Sequence, residues 1–183
     1  MKTLNQWQHD SADLTKMKLL IVDDEPLNVE LLKDILVENG YTSIETVTNS
    51  AIALNICRDF QPDLILLDLM MVPLDGFAIL EAVRTDDSQT FLPIIALTAD
   101  TTDETKRRAL QAGATDFLTK PFDHIEVMLR IRNLLRTRRA HRLLDNQRAA
   151  FEDALRERTS ELRATIMQLQ QFQQSPLPQK SKS

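Results

Sequence analysis

A doubly wound α/β fold, with a five-stranded parallel sheet covered by helices on both faces, is what this 183-residue sequence predicts. Three observations predict it. Five short apolar runs recur along the chain, helix-forming stretches with start and stop signals separate them, and the third and fourth runs are apolar enough for burial on both faces. Strand and helix alternating five times implies parallel pairing through right-handed crossovers.

Each element follows in order. The first strand reads "KLLIV" (18–22), and Pro26 suits the first turn of the helix after it, with Gly40 as its C-terminal cap. "SIETV" (43–47) is the second strand, and Asn49 and Ser50 cap the next helix. "DLILLD" (63–68) is the third, followed by a helix capped by Asp75. "PIIAL" (93–97) is the fourth, after which Thr101-x-x-Glu104 forms a capping box and Gly113 closes the helix. "TDFLT" (115–119) is the fifth. In such folds the ligand crevice lies outside the carboxyl ends of the strands. The residues there are Asp23-Asp24, Asp68, Thr98 and Lys120.

Composition narrows the function classes. A lone Cys57 excludes an internal disulfide and any multi-cysteine zinc site, and His9, His124 and His141 are too scattered for a histidine-built one. No signal peptide is visible and no run approaches the about 18 apolar residues that span a bilayer, so a soluble, cytoplasmic protein without a membrane partner is expected. Charge is split unevenly. Residues 1–123 hold 10 Lys/Arg against 21 Asp/Glu (net −11), whereas residues 124–183 hold 12 against 6 (net +6).

Three carboxylates crowded at one rim raise one another's pKa. A hard divalent cation resolves the conflict, and Mg²⁺ binds through one or two carboxylates while keeping positions open for a phosphate. Lys120 supplies a point charge for a phosphate oxygen and Thr98 a hydrogen-bond donor. That set suits phosphoryl transfer, with Asp68, which ends the most buried strand pattern, as the nucleophile forming an aspartyl phosphate. Taken singly, an acidic pair after a strand is as readily a solvated turn, Asp68 a helix cap and Thr98 a strand-end hydroxyl. Their joint occurrence at successive strand ends favours the chemical reading.

The segments "LLIVDDEPLN", "PDLILLDLMMVPLDGF", "LPIIALTAD" and "AGATDFLTKPF" resemble, in this order, the receiver domain of two-component response regulators, the chemotaxis-regulator type of fold. The likeness covers about Lys18 to Arg136 and includes the intervals of 44 residues from Asp24 to Asp68, 30 to Thr98 and 22 to Lys120. It implies a flavodoxin-like strand order 2-1-3-4-5. It also implies that Asp68 is the phosphoacceptor, that Asp23, Asp24, Asp68 and the main-chain carbonyl of Met70 bind Mg²⁺, that Thr98 is the switch hydroxyl, and that Lys120 binds the phosphate. Phe117 matches the switch aromatic, with a plain core aromatic as the alternative. Met70 and Asp100 stand where the family tunes phosphate lifetime. One departure is Val72, where the family usually has proline; Pro73 follows, and Asp75-Gly76 is back in register. The implied partner is a histidine kinase or phosphotransfer protein, and the implied role is a signalling module rather than a metabolic enzyme.

No Gly or Pro interrupts the chain between Phe122 and Pro176, so one helix is expected from about His124 to Gln173. Thr159, Leu162, Ile166 and Leu169 fit alternating core positions, as do Leu144, Arg148, Phe151 and Leu155 after one four-residue skip, which predicts a parallel homodimeric coiled coil. A single helix folding back on the receiver is the alternative. The expected organisation is a flexible segment at 1–16, the receiver at 17–137, a helical extension at 138–173 and a disordered tail at 174–183. The run "RIRNLLRTRRAHR" raises nucleic acid as a partner, but a charge run is usually a solvated face, and pairing with an acidic surface of the receiver itself is the other reading. "LRERTSELRATI" also resembles the linker of regulators ending in an HD-GYP cyclic-di-GMP phosphodiesterase domain, so a receiver fragment of a larger regulator is an alternative. A haloacid-dehalogenase-type phosphatase needs a second Asp where Met70 stands, and only Gly40, Gly76 and Gly113 are available for any glycine-rich nucleotide loop. A degenerate receiver serving only as a scaffold conflicts with the complete acidic set.

Overall fold

The structure, a computed structural model, describes residues 13–85, 91–100 and 102–174, with side chains to residue 167. Its elements are β1 (Leu19–Val22), α1 (Pro26–Glu38), β2 (Ile44–Val47), α2 (Ala53–Phe60), β3 (Leu64–Asp68), α3 (Gly76–Thr85), β4 (Ile94–Thr98), α4 (Asp103–Gln111), β5 (Asp116–Thr119) and α5 (His124–Gln174). A short 3₁₀ turn, Ser50–Ile52, leads into α2. The strands form one parallel sheet in the order β2-β1-β3-β4-β5, the flavodoxin-like order. Each strand lies within one residue of its expected span.

Alternation along the strands decides which side chains go where, because successive residues face opposite sides of the pleat. Leu19, Ile21, Leu64, Leu66, Ile95 and Leu97 pack on one face with Leu32 and Leu36 of α1 and Ile131 and Leu135 of α5. Leu20, Val22, Ile65, Leu67, Ile94 and Ala96 pack on the other with Cys57 of α2, Ile79 and Leu80 of α3, and Ala109 of α4. Every residue of β3 and β4 is buried, as their uninterrupted apolar runs require. Each such Leu or Ile contributes about 2 kcal/mol by leaving water, so the central strands form a rigid frame.

The helix signals act largely as read. Pro26 opens α1, and Gly40 follows its last turn at φ 84°, a conformation that strains any residue with a Cβ. Asn49 Oδ1 accepts the Ala51 N–H, and Asp75 Oδ1 accepts the Phe77 N–H. At α4 the cap differs from the expected box at Thr101: Thr102 is the N-cap, its hydroxyl accepting the Thr105 N–H at 3.4 Å. Thr101 lies outside the described residues.

Two boundaries also differ from expectation. Of the segment expected to be flexible, 1–16, residues 1–12 lie outside the described residues, but Leu14 is buried in the α1/α5 core and Thr15 O accepts the Thr42 N–H. The ordered fold therefore starts before residue 17. At the other end the chain divides into two units, one through His141 and one from Arg142. The first extends past the expected residue 137 because the next residues still bond to it. Arg138 Nη1 donates to Phe91 O at 2.9 Å, Arg139 Nη2 pairs with Asp13 at 2.8 Å, and the His141 ring stacks on Phe91 at 4.4 Å. Arg138 also approaches Asp63 at 3.8 Å, and Arg130 pairs with Asp116 and Glu126. Much of the arginine run thus serves the domain's own carboxylates. The expected tail, 174–183, lies outside the described residues except for Gln174, the last residue of α5.

Among the described residues no helix is long and apolar enough to cross a membrane.

Tyr41, the single tyrosine, is buried just after Gly40, and burial pushes its phenol above the ordinary value despite the opposing charge of Arg132 and Arg136. A folded-state pKa above the unfolded one means that this contribution to stability is intact below about pH 10 and lost as pH rises through the folded value. Alkaline titration should therefore show tyrosinate absorbance appearing later in the native protein than in the urea-unfolded chain. Coincident curves would contradict the burial.

Candidate functional site

The carboxyl edge of the sheet gathers Asp23, Asp24, Asp68 and Lys120. Strands β1 and β3 are neighbours with Val22 opposite Leu67, so the next residues, Asp23 and Asp68, leave the sheet side by side. Carboxylate oxygens of Asp23, Asp24 and Asp68 all lie within 4.8 Å of one another. Lys120 Nζ reaches across from the end of β5 and lies 2.8 Å from Asp23 Oδ2 and 2.8 Å from Asp68 Oδ2.

Each carboxylate is oriented by further donors. Asp23 Oδ1 accepts the Glu25 N–H at 2.9 Å and the Asn28 amide at 3.2 Å. Asp68 Oδ1 accepts the Met70 N–H at 3.2 Å, and Asp24 Oδ2 the Val72 N–H at 3.1 Å. The loop after Asp68 thus donates main-chain N–H groups to two of the three acids, with Val72 in the place where proline, lacking an N–H, would offer none. Gly76 secures the same loop from behind. A Cβ there would fall 2.0 Å from the Asp68 carbonyl oxygen and 2.8 Å from the Leu69 Cα, so any other residue would displace the end of β3.

The electrostatics are unequal across the pair. Burial raises the Asp68 carboxyl above the usual range, outweighing the Lys120 hydrogen bond, and the Asp23 charge adds to the rise. Burial alone would lower the Lys120 ammonium, but hydrogen bonds and charge from both Asp23 and Asp68 outweigh it and leave it raised. The two directions look opposed for one ion pair. They agree once the stoichiometry is counted, since one ammonium is shared by two carboxylates and Asp68 receives only part of its compensation.

Three carboxylates and one ammonium leave a formal charge of −2 at the rim. The donors are oxygen only, without histidine or cysteine, which is the ligand chemistry of a hard divalent cation. The residues fit Mg²⁺ both in donor type and in charge.

Among the described residues, the side chains of Thr98 and Phe117 share no hydrogen bond with the side chains of this cluster. Thr98 is buried at the end of β4, one residue beyond Leu97, which pairs with Asp68, but its hydroxyl bonds to the main chain of Asp100. Phe117 is half-buried on β5 opposite Ala96, with Lys106 Nζ 5.2 Å and Arg130 Cζ 5.7 Å from its ring. Two contributors were missed in the sequence: Asn28, legible only as part of "DDEPLN", and Ser50, which is buried and accepts the Leu74 N–H at 2.9 Å to hold the loop between β3 and α3.

Replacing Lys120 by Met should lower stability in EDTA by about 2 kcal/mol, because the buried Asp23 and Asp68 lose their cation. Mg²⁺ should restore much of the loss. Thermal unfolding with and without Mg²⁺ checks this, and an unchanged midpoint in EDTA would contradict it.

Comparison with known proteins agrees with this geometry. Residues 19–132 match the family model of the response regulator receiver domain. Among curated proteins, the chain is 37% identical over 122 residues to the DNA-binding dual master transcriptional regulator RpaA of Synechocystis, covering 65% of this chain and 49% of that protein. It is 35% identical over 119 residues to the response regulator PleD of Caulobacter vibrioides, covering 65% and 26%. The chain therefore spans about half or less of the length of these relatives. Among solved structures, the chemotaxis response regulator CheY4 of Vibrio cholerae superposes with a TM-score of 0.61 at 30% identity, covering 65% of this chain and 98% of that one. The receiver domain of Francisella response regulator 1452 gives 0.62 at 30%, covering 67% and 98%. The family match ends at residue 132, short of "LRERTSELRATI", so the likeness to an HD-GYP linker gains no support. With the five-stranded order, the acidic cluster and Lys120 all in place, the chain belongs to the response regulator receiver family.

Proposed function

We propose that Asp68 accepts a phosphoryl group from the phosphohistidine of a histidine kinase or phosphotransfer protein, and that the chain is a cytoplasmic signalling module, not a metabolic enzyme. The observation that carries this reading is Lys120 Nζ at 2.8 Å from both Asp23 and Asp68 inside a three-carboxylate cluster. Asp23, Asp24, Asp68 and the Met70 carbonyl would hold Mg²⁺, which supplies charge neutralisation at the rim when bound. Asp68 attacks as the carboxylate; the phosphorus–nitrogen bond to histidine breaks as the phosphorus–oxygen bond to Asp68 forms, and the released imidazole keeps the electron pair. Lys120 meets one phosphoryl oxygen, and the Thr98 hydroxyl leaves Asp100 to donate to another. The product carries roughly −2 charge and three strong acceptors, enough to shift the population between two surfaces. Phe117, beside two cations and only half-buried, is positioned to follow Thr98.

The second part of the reading is a homodimer through the extension of α5. Leu144, Phe151, Leu155, Leu162 and Ile166 are each between 51% and 65% exposed. Leu144, Leu155 and Ile166 recur every 11 residues, as do Phe151 and Leu162. An 11-residue period is about 3.67 residues per turn, close to the natural helix, so the stripe runs almost straight along its length. Ion pairs of Arg148 with Glu152, Arg156 with Asp153 and Arg158 with Glu161 satisfy neighbouring charges within the helix itself. A second copy in parallel register presents the same stripe and covers it. Leu169, also expected in the stripe, has its side chain outside those described.

Asp68→Asn should abolish acid-labile labelling by a small phosphodonor with Mg²⁺, whereas full labelling of that variant would refute the phosphoacceptor. Sedimentation should show a dimer that Leu155→Asp with Leu162→Asp converts to monomer. A wild-type monomer, with and without a beryllofluoride phosphate mimic, would remove the dimer.

A further inference from the structure

Thr98 has a hydroxyl whose bonds lead away from the carboxylate cluster. Its Oγ1 accepts the Asp100 N–H at 3.0 Å and donates to the Asp100 carbonyl at 3.3 Å. Asp100 is in turn held from α4. Its Oδ2 accepts the Thr105 hydroxyl at 2.6 Å, and its Oδ1 accepts the Thr102 N–H at 2.8 Å. The Thr102 and Thr105 hydroxyls lie 3.3 Å apart, and the Thr102 hydroxyl accepts the Thr105 N–H, so Thr105 is itself fixed at the start of α4.

A hydroxyl has one proton, so Thr98 cannot donate both to the Asp100 carbonyl and to a phosphoryl oxygen on Asp68. Redirecting that hydrogen bond to the phosphoryl oxygen requires Thr98 to leave Asp100, or Asp100 to move with it. The firmer the hold on Asp100, the more the phosphorylated arrangement must overcome. The bond from Thr105 is the shortest in this chain of contacts and is charge-assisted, the stronger class of hydrogen bond. It also joins the loop after β4 to the first turn of a helix, and helices move as units.

We infer that Thr105 is a positioning residue of the switch: its hydroxyl, through Asp100, retains Thr98 in the resting arrangement and opposes activation at Asp68. The inference rests on the phosphoacceptor reading given above. It assigns Thr105 no contact with the phosphoryl group and no part in the chemical step. Its effect is on the equilibrium between resting and activated forms.

The test is the apparent affinity of the full chain for beryllofluoride with Mg²⁺, read by fluorine NMR, in wild type, Thr105→Val and Thr105→Ser. Valine keeps the branched shape without the hydroxyl, and serine keeps the hydroxyl without the methyl. The Val variant should bind about threefold to tenfold more tightly, the range expected for loss of one partly exposed hydrogen bond to a carboxylate, and the Ser variant should match wild type. Thr105→Ala, which relieves any crowding by valine, should follow Val. A purely structural role would lower the unfolding midpoint of the Val and Ala variants without tightening binding. Unchanged or weaker binding by both Val and Ala variants overturns the inference while wild-type binding leaves the phosphoacceptor intact. Wild-type protein that takes up no beryllofluoride overturns both.

Discussion

The ammonium of Lys120 between Asp23 and Asp68 is the interaction on which the rest of this structure depends. Like charges collected at one edge repel, and their burial makes the repulsion worse. The sheet order forces the gathering, because β1 and β3 are neighbours and end in register. Relief has to come from β5, two strands from β3 and so on the order of 10 Å away in the hydrogen-bonding direction. A lysine is long enough to cross the intervening β4, where Thr98 ends the strand. One ammonium cannot balance three carboxylates. The residue of negative charge suits this rim to a divalent cation, and burial, with a smaller addition from the Asp23 charge, holds the Asp68 carboxyl raised.

Around that charge, the molecule separates rigid parts from movable ones. The strands carrying Asp68 and Thr98 are buried along their whole length, and Gly76 presses against the Asp68 carbonyl with no space for a side chain. Ser50 and the main-chain N–H groups of Met70 and Val72 hold the loop after β3. The loop after β4 is different in kind. Its contacts are hydrogen bonds of threonine hydroxyls and one carboxylate, each of which can be exchanged for another partner at small cost. On the proposed reading, Asp68 would stay still while the Thr98 hydroxyl changes bonds.

Helix α5 serves two environments along one run of sequence. Its first turns bury Val127, Ile131 and Leu135 in the core, and its arginines answer carboxylates of the receiver that lie far away in sequence: Asp13, Asp63 and Asp116. Beyond Arg142 the apolar residues are exposed and the charges pair along the helix. The uneven charge of the chain has its explanation here, since the acidic body and the basic run following it partly neutralise each other within the fold.

The amino-acid sequence by itself determined the five strands, the helices between them and the strand-end residues that form the site. Those signals are local: the period of apolar residues, Pro26 at a helix start and Gly40 after its end depend on near neighbours. The roles expected of Met70 and Phe117 came from family likeness, not from the residues. Tertiary structure alone decided the rest. Leu14 reads as part of a polar lead-in until α1 and α5 cover it, and the arginine run reads as a basic patch until Asp63 and Asp13 meet it. Asn28 on Asp23 and Thr105 on Asp100 carry no pattern a linear reading could separate from ordinary polar residues. The physical reason is range: hydrophobic period and capping act over a few residues, whereas ion pairs such as Lys120 with Asp23, 97 positions apart, exist only after the strands have taken their order.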